Sequence, residues 1–228
     1  MNYQKIIRVL ISELILRQSG LSPSMRARRL AMLLSSLEQT QFKSAELEQY
    51  STHGDLAARW LMDIHSFGDM QEGCKVVDLG AGNGVMGLGS LSLGASEAIL
   101  VEADQMALKI AQINAKQMGF TDSVRIIQST LGIDSLDIGS ADLIISNPPW
   151  GRQSPKADRP FLDAILSSQI ISHMMHSAEA SHIEPLFEGQ GWSVERYGEA
   201  DFALPAEFSY HSRRRGKTRA AFWRLTPP

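Results

Sequence analysis

The sequence holds a single cysteine, Cys74, among 228 residues. One thiol excludes an intrachain disulfide and any zinc site built from several cysteines. It fits a reducing cytoplasm, and no metal is expected. No apolar run approaches the roughly 18–20 residues that a membrane-spanning helix needs. The most apolar early stretch, Val9 to Leu16, is broken by Glu13 and followed by Arg17, which argues against a signal peptide. Internal repeats and low-complexity tracts are also absent. Acid is scarce at both ends. Residues 1–29 hold Lys5, Arg8, Arg17, Arg26, Arg28 and Arg29 against Glu13 alone, and residues 211–228 hold six basic residues and no acid. With a net charge of −3, the middle of the chain is therefore acidic. Basic ends on an acidic body are either solvated termini or the footprint of a polyanion, most plausibly nucleic acid.

With 43% hydrophobic and 21% charged residues, the composition is that of one globular domain with room for a short extension. Ile6, Ile7, Leu10, Leu14 and Ile15 share one helical face; Gly20 stops that helix. Ser22-Pro23 opens a second, with Leu30, Leu33, Leu34 and Leu37 on its apolar side. A third starts at Thr52, with Asp55 completing a variant capping box. From Lys75 the pattern alternates. Strands are expected at 76–79, 98–101, 124–127, 141–146, 170–174, 192–197 and 218–225, with helices between most of them. The last two strands have no helix between them, so an antiparallel pair is expected there. This is an α/β, Rossmann-like, doubly wound and mostly parallel seven-stranded sheet, and it resembles the layout of class I methyltransferases. Residues 1–40 read as an N-terminal helical extension and residues 41–228 as the domain.

Three signals carry chemistry. Asp78-Leu79-Gly80-Ala81-Gly82-Asn83-Gly84 lies where the first strand meets a helix, the place at which a doubly wound sheet binds ligands. Its spacing is G-x-G-x-G, not the G-x-G-x-x-G of dinucleotide sites, and the preceding Asp78 suits a cationic amino-acid group better than a pyrophosphate. Glu102 ends the second strand about 20 residues on, where an acid can accept both hydroxyls of a ribose. Asp104, two residues later, reads mainly as the N-cap of the next helix. Asn147-Pro148-Pro149-Trp150 follows the fourth strand directly. Two prolines cannot continue a ladder, so the chain leaves the sheet in a rigid turn. That turn can aim the Asn147 side-chain oxygen and the Pro148 carbonyl at one amino group, while Trp150 offers a face on which a base can stack.

The sequence resembles the methyltransferase-like protein 5 family of adenine-N6 RNA methyltransferases from about residue 30 onward. Asn147-Pro148-Pro149-Trp150-Gly151 is similar to that family's catalytic tetrad and following glycine, with Trp for the usual Phe. Leu47-Glu48-Gln49-Tyr50-Ser51-Thr52 resembles its cofactor-covering segment. Asp158-Arg159-Pro160-Phe161-Leu162 resembles the stretch after the catalytic loop, and Leu204 to His211 its late substrate-side segment. The resemblance implies S-adenosylmethionine as cofactor, contacted by Gln49, Thr52, Gly80, Asn83, Val85, Glu102, Ser129 and Thr130, with Asp78 and Gly82 in the same turn. It implies catalysis at Asn147, Pro148, Pro149 and Trp150 on an adenosine of structured RNA, such as small-subunit ribosomal RNA. His211, Arg213, Arg214 and Arg215 would touch that RNA, and His176 matches a family position. A small zinc-ribbon activator protein is the implied partner. Ala81 and Asn83 depart from the family's glycine turn, Glu102 replaces Asp, and Ser129 stands where an Asp contacts the adenine amine. Two alternatives stay open: methylation of a protein glutamine, which the same tetrad can serve, and a non-catalytic RNA-binding assembly factor.

Overall fold

The computed structural model describes residues 22–39, 52–151, 154–202 and 218–228. The expected helix around Ile6–Ile15 lies outside them. Helix α1 (Pro23–Ser35) begins where Ser22 Oγ accepts the amide of Met25, with proline in the first turn. It buries Leu30 and Leu34, joined by Leu37 just beyond its end, in the same apolar cluster as Leu61, Ile64 and Leu88. Helix α2 (Gly54–Phe67) is capped by His53 without a side-chain bond. The capping box expected at Thr52 and Asp55 does not form, because the Thr52 hydroxyl is turned toward the end of the sheet instead. At the far end of α2, Gly68 adopts a left-handed conformation and closes it.

The rest is strand and helix in alternation: β1 (Lys75–Leu79), α3 (Val85–Ser92), β2 (Glu97–Glu102), α4 (Gln105–Gln117), β3 (Val124–Gln128), β4 (Leu143–Ser146), α5 (Arg159–Ser168), β5 (Ser172–Ser177), α6 (Ile183–Glu188), β6 (Ser193–Phe202) and β7 (Thr218–Thr226). The seven strands lie in the order β3-β2-β1-β4-β5-β7-β6. β1 to β5 run parallel, and β7 pairs antiparallel with both β5 and β6. The expected mixed sheet is therefore the one observed. Its central strands are apolar on both faces, as a sheet covered by helices on each side requires. Val76, Leu100, Leu143 and Ile145 face one cluster; Val77, Ile99, Ile144 and Val101 face the other. Helix α3 is buried along its length, and a Cβ added at Gly87 would stand 2.3 Å from a Leu100 methyl. Only glycine lets that helix lie so close to the sheet.

Strand β5 is where sequence and structure differ most. It runs Ser172–Ser177 rather than 170–174, and β6 continues to Phe202. The pairing of Ser177 with Ala220 across β7 holds the polar end of β5 in the sheet. A buried polar network ties these strands to α2. Asp69 accepts from His173 Nε2 at 2.8 Å and from Arg224 Nε and Nη2 at 2.7 and 2.9 Å. Trp60 Nε1 donates to the Tyr197 hydroxyl at 2.7 Å, which lies 3.0 Å from His173 Nδ1. Burial pushes the Asp69 carboxyl up, but its bonds to Arg224 and His173 outweigh that and hold it below the usual range.

Candidate active site

The order of strands reverses between β1 and β4, so the connections leaving their carboxyl ends diverge and open a crevice. Both expected motifs leave from these two strands. They are adjacent: a Cβ built on Gly80 would lie 3.9 Å from the Asn147 carbonyl oxygen and 3.0 Å from the Phe161 ring. Ser146 Oγ donates to Leu79 O at 3.0 Å and locks the two strand ends together.

In the glycine turn, the amides of Gly80 and Ala81 donate to Val101 O. Gly82 has φ +54° with nothing within 4 Å of an added Cβ, so this backbone faces open space. Asp78 is buried, and its Oδ2 accepts the amide of Gly87 in the first turn of α3 at 2.9 Å. Burial is the main cause that pushes its carboxyl up to about 7; the Glu102 charge adds to the rise and the Gly87 amide opposes it. Glu102 Oε2 accepts from Gly82 N at 2.9 Å, and Oε1 from the amides of Ala103 and Asp104 at 3.0 Å. This carboxylate thus fixes the turn while standing at the strand end expected for a ribose ligand. Asp104 caps α4 as read from the sequence, accepting from Met106 N at 2.7 Å.

Asn83 is buried and directs its side-chain amide to Glu38 O at 3.0 Å. The fully buried Asn114 of α4 holds both partners, bonding Glu38 N, Glu38 O and Asn83 O. The glycine turn is therefore stitched to the segment after α1. Val85 is buried at the start of α3. Ser129 is buried beyond β3 with no hydrogen-bond partner for its Oγ, whereas Thr130 is exposed and its amide donates to Asp134 Oδ2 at 2.7 Å. Gln49, His211, Arg213, Arg214 and Arg215 lie outside the described residues.

At the β4 end, Asn147 is half-buried and held at both ends of its amide. Its Nδ2 donates to Thr52 Oγ1 at 3.3 Å, and its Oδ1 accepts from Trp150 Nε1 at 3.1 Å. Pro148 is buried, Pro149 is half-buried, and Gly151 leaves the turn with φ +70°. The sequence reading put a free stacking face on Trp150. The structure packs it instead: the residue is 6% exposed, with ring centroids 4.8 Å from Phe202 and 6.0 Å from His176. An indole is large and apolar, and the wall made by β5 and β6 gives it a place to be buried. The Trp150–Asn147 bond is not evident from the sequence, where tryptophan in place of phenylalanine is its one visible signal.

A backbone open to a ligand at Gly82, an orphaned buried hydroxyl at Ser129 and a carboxylate at the end of β2 fit the adenosine and amino-acid groups of S-adenosylmethionine. Together with the Asn147–Trp150 turn at the switch point of the sheet, they make this a class I methyltransferase site. The chain belongs to the methyltransferase small domain family, whose profile matches residues 51–169, and S-adenosylmethionine is its cofactor.

Its relatives agree with the resemblance read from the sequence. The chain is 31% identical over 200 residues to the uncharacterised protein MJ0284 of Methanocaldococcus jannaschii, covering 83% of this chain and 89% of that one. It is 27% identical over 213 residues to the rRNA N(6)-adenosine-methyltransferase METTL5 of Danio rerio, covering 89% and 100%. The crystal structure of PH1948 from Pyrococcus horikoshii, provisionally described as an RNA methyltransferase, superposes with a TM-score of 0.78 at 29% identity over 91% of this chain and 99% of that one.

Proposed function

We propose that the chain methylates the N6 amine of an adenosine in structured RNA, with small-subunit ribosomal RNA as the first substrate to test. The observation that carries this reading is the clamped Asn147 amide beside the Pro148 carbonyl at the switch point. The full-length similarity to an rRNA N6-adenosine methyltransferase supports the choice of base.

An exocyclic adenine amine is a poor nucleophile because its lone pair is delocalised into the ring. Asn147 Oδ1 keeps a second lone pair beyond the one Trp150 uses, and Pro148 O supplies another acceptor. Accepting both amine hydrogens, they favour a pyramidal nitrogen whose pair is free to attack. The displaced proton passes to water, and positioning does most of the work. When bound, S-adenosylmethionine supplies an electrophilic methyl on a positively charged sulfur. Glu102 would accept from the ribose, Ser129 Oγ from the adenine amine, and Asp78 would face the amino-acid end. Gln49, Thr52, Gly80, Gly82, Asn83, Val85 and Thr130 complete the cofactor surface. Pro149 fixes the turn. Trp150 holds Asn147 and stacks on the base only if its ring leaves the wall.

Residues 1–40 are an N-terminal helical extension to the methyltransferase domain, and its described helix α1 packs in the same apolar cluster as α2 and α3. His211 and Arg213 to Arg215 contact the RNA backbone, and a small zinc-ribbon protein serves as activator. The enzyme works in the cytoplasm. Among the described residues, no helix is long and apolar enough to cross a membrane.

The test is transfer of radiolabelled methyl to purified small-subunit ribosomal RNA and, separately, to total protein, with and without the zinc-ribbon partner. Label in RNA supports the reading. Label confined to protein would move the substrate to a glutamine amide, and none in either would favour a non-catalytic assembly role.

A further inference from the structure

Beside Trp150, three side chains from three elements converge on one point. Asp158 precedes α5, His176 lies on β5 and His182 precedes α6. Asp158 Oδ2 is 2.6 Å from His182 Nε2 and 3.2 Å from His176 Nε2, and the three atoms all lie within 4.8 Å of one another. Asp158 occupies the N-cap position of α5 yet makes no capping bond. Its carboxylate turns to the histidines instead.

The second observation is the state of the buried His176 ring. His176 is 2% exposed; its Nδ1 has no hydrogen-bond partner, and its Nε2 meets only the Asp158 carboxylate, 3.2 Å away and poorly aligned for a hydrogen bond. A buried polar group left in this state is rare and destabilising, and it calls for a ligand. We propose that Asp158, His176 and His182 bind a divalent transition metal ion of the zinc class.

The donor set of two imidazoles and one carboxylate is one that zinc accepts, with a fourth position left for water. Ligands about 2.0–2.2 Å from a tetrahedral ion stand roughly 3.3 Å from one another. The Asp158–His176 separation is close to that value, the Asp158–His182 separation needs to open by a fraction of an ångström, and the two histidine nitrogens, within 4.8 Å of each other, must come to the same spacing. His182 can provide it, because its side chain is 51% exposed while the other two are held in the wall. The same exposure gives the ion and its water a route in from solvent. An ion here would fix the His176 ring, whose face lies 26° from the plane of Trp150. Trp150 in turn holds Asn147. The ion is thus a brace for the catalytic turn and takes no part in methyl transfer.

The test is calorimetric titration of the chelator-treated full chain with zinc chloride, with magnesium chloride as control and thermal unfolding followed in parallel. The expected result is one zinc per chain with a raised Tm, and no response to magnesium. His182→Ala, at an exposed position, should keep the fold and weaken zinc binding at least tenfold; Asp158→Asn should weaken it further. Cobalt in place of zinc should give the visible absorption of a four-coordinate ion in the wild type alone. Absence of one-to-one binding by the wild type, or equal affinity in wild type and His182→Ala, overturns the site. Neither readout involves methyl transfer, so failure here leaves the functional reading intact.

Discussion

Trp150 donates its indole N–H to Asn147 Oδ1 at 3.1 Å, and a phenylalanine in its place has no such donor. The bond ties the aromatic residue of the tetrad to the acceptor that precedes it. It also defines the orientation of the Asn147 amide, whose nitrogen is left facing Thr52.

Trp150→Phe keeps an aromatic ring in the wall and removes only this bond. A net hydrogen bond is worth about 0.5–1.5 kcal/mol, so kcat should fall roughly 2- to 12-fold. Calorimetry with S-adenosylmethionine should show unchanged affinity. A variant as fast as the wild type would mean that Asn147 is oriented by Thr52 alone.

Asp78 gives the site a pH dependence. Burial pushes its carboxyl up to about 7 in the free protein, so its ionisation changes across the neutral range. A cationic amino-acid group beside it favours the ionised form. Cofactor binding should therefore release a proton near neutrality, and affinity should drop about tenfold from pH 8 to pH 6. Calorimetry in buffers of different ionisation heat measures both effects. The same shift acts on stability with the opposite sign of pH: the folded state holds the proton more tightly than the unfolded chain, so this contribution is complete below about pH 4 and fades as pH rises toward 7. Asp78→Asn should flatten both profiles.

Ser129 separates a binding role from a folding role. Its hydroxyl is buried without a partner, so Ser129→Ala removes an unsatisfied group and should leave the Tm unchanged or slightly higher. Cofactor affinity should nevertheless fall severalfold if the hydroxyl accepts from the adenine amine. Equal affinity in the two proteins would leave Ser129 without a part in binding.

Asp69→Ala should unfold the protein more readily by about 3 kcal/mol, because Arg224 and His173 lose a shared carboxylate in a largely buried setting. Urea denaturation measures it. The cofactor site lies elsewhere on the sheet, so affinity for S-adenosylmethionine below the transition should not change.

The sheet was legible because β1, β2 and β4 are short apolar runs that stop at a glycine turn, an acid and two prolines. Those stops also mark the crevice, so the positions of Gly80, Glu102 and Asn147 at strand ends were legible in the sequence. β5 was less legible. Ser172, His173, His176 and Ser177 read as polar, and their pairing with β4 and β7 and the bond of His173 to Asp69 make them part of a buried strand. Thr52 looked like a helix cap because local spacing cannot show a contact with Asn147, which lies far along the chain. Trp150 looked like a platform because a sequence does not show the wall, made by His176 and Phe202, that receives it. The Asp158–His176–His182 cluster has no motif at all, since its three members come from three elements and meet only through the fold.

The central claim is that Asn147 holds an adenosine amine of RNA for methylation. The most direct measurement is nucleoside analysis of ribosomal RNA incubated with S-adenosylmethionine and either wild type or Asn147→Ala. Wild type should yield N6-methyladenosine. Asn147→Ala should form it about 100- to 1000-fold more slowly, as expected for loss of a preorganised hydrogen-bonding group, while binding the cofactor within a few-fold of wild type. N6-methyladenosine formed equally fast by both proteins would contradict the account.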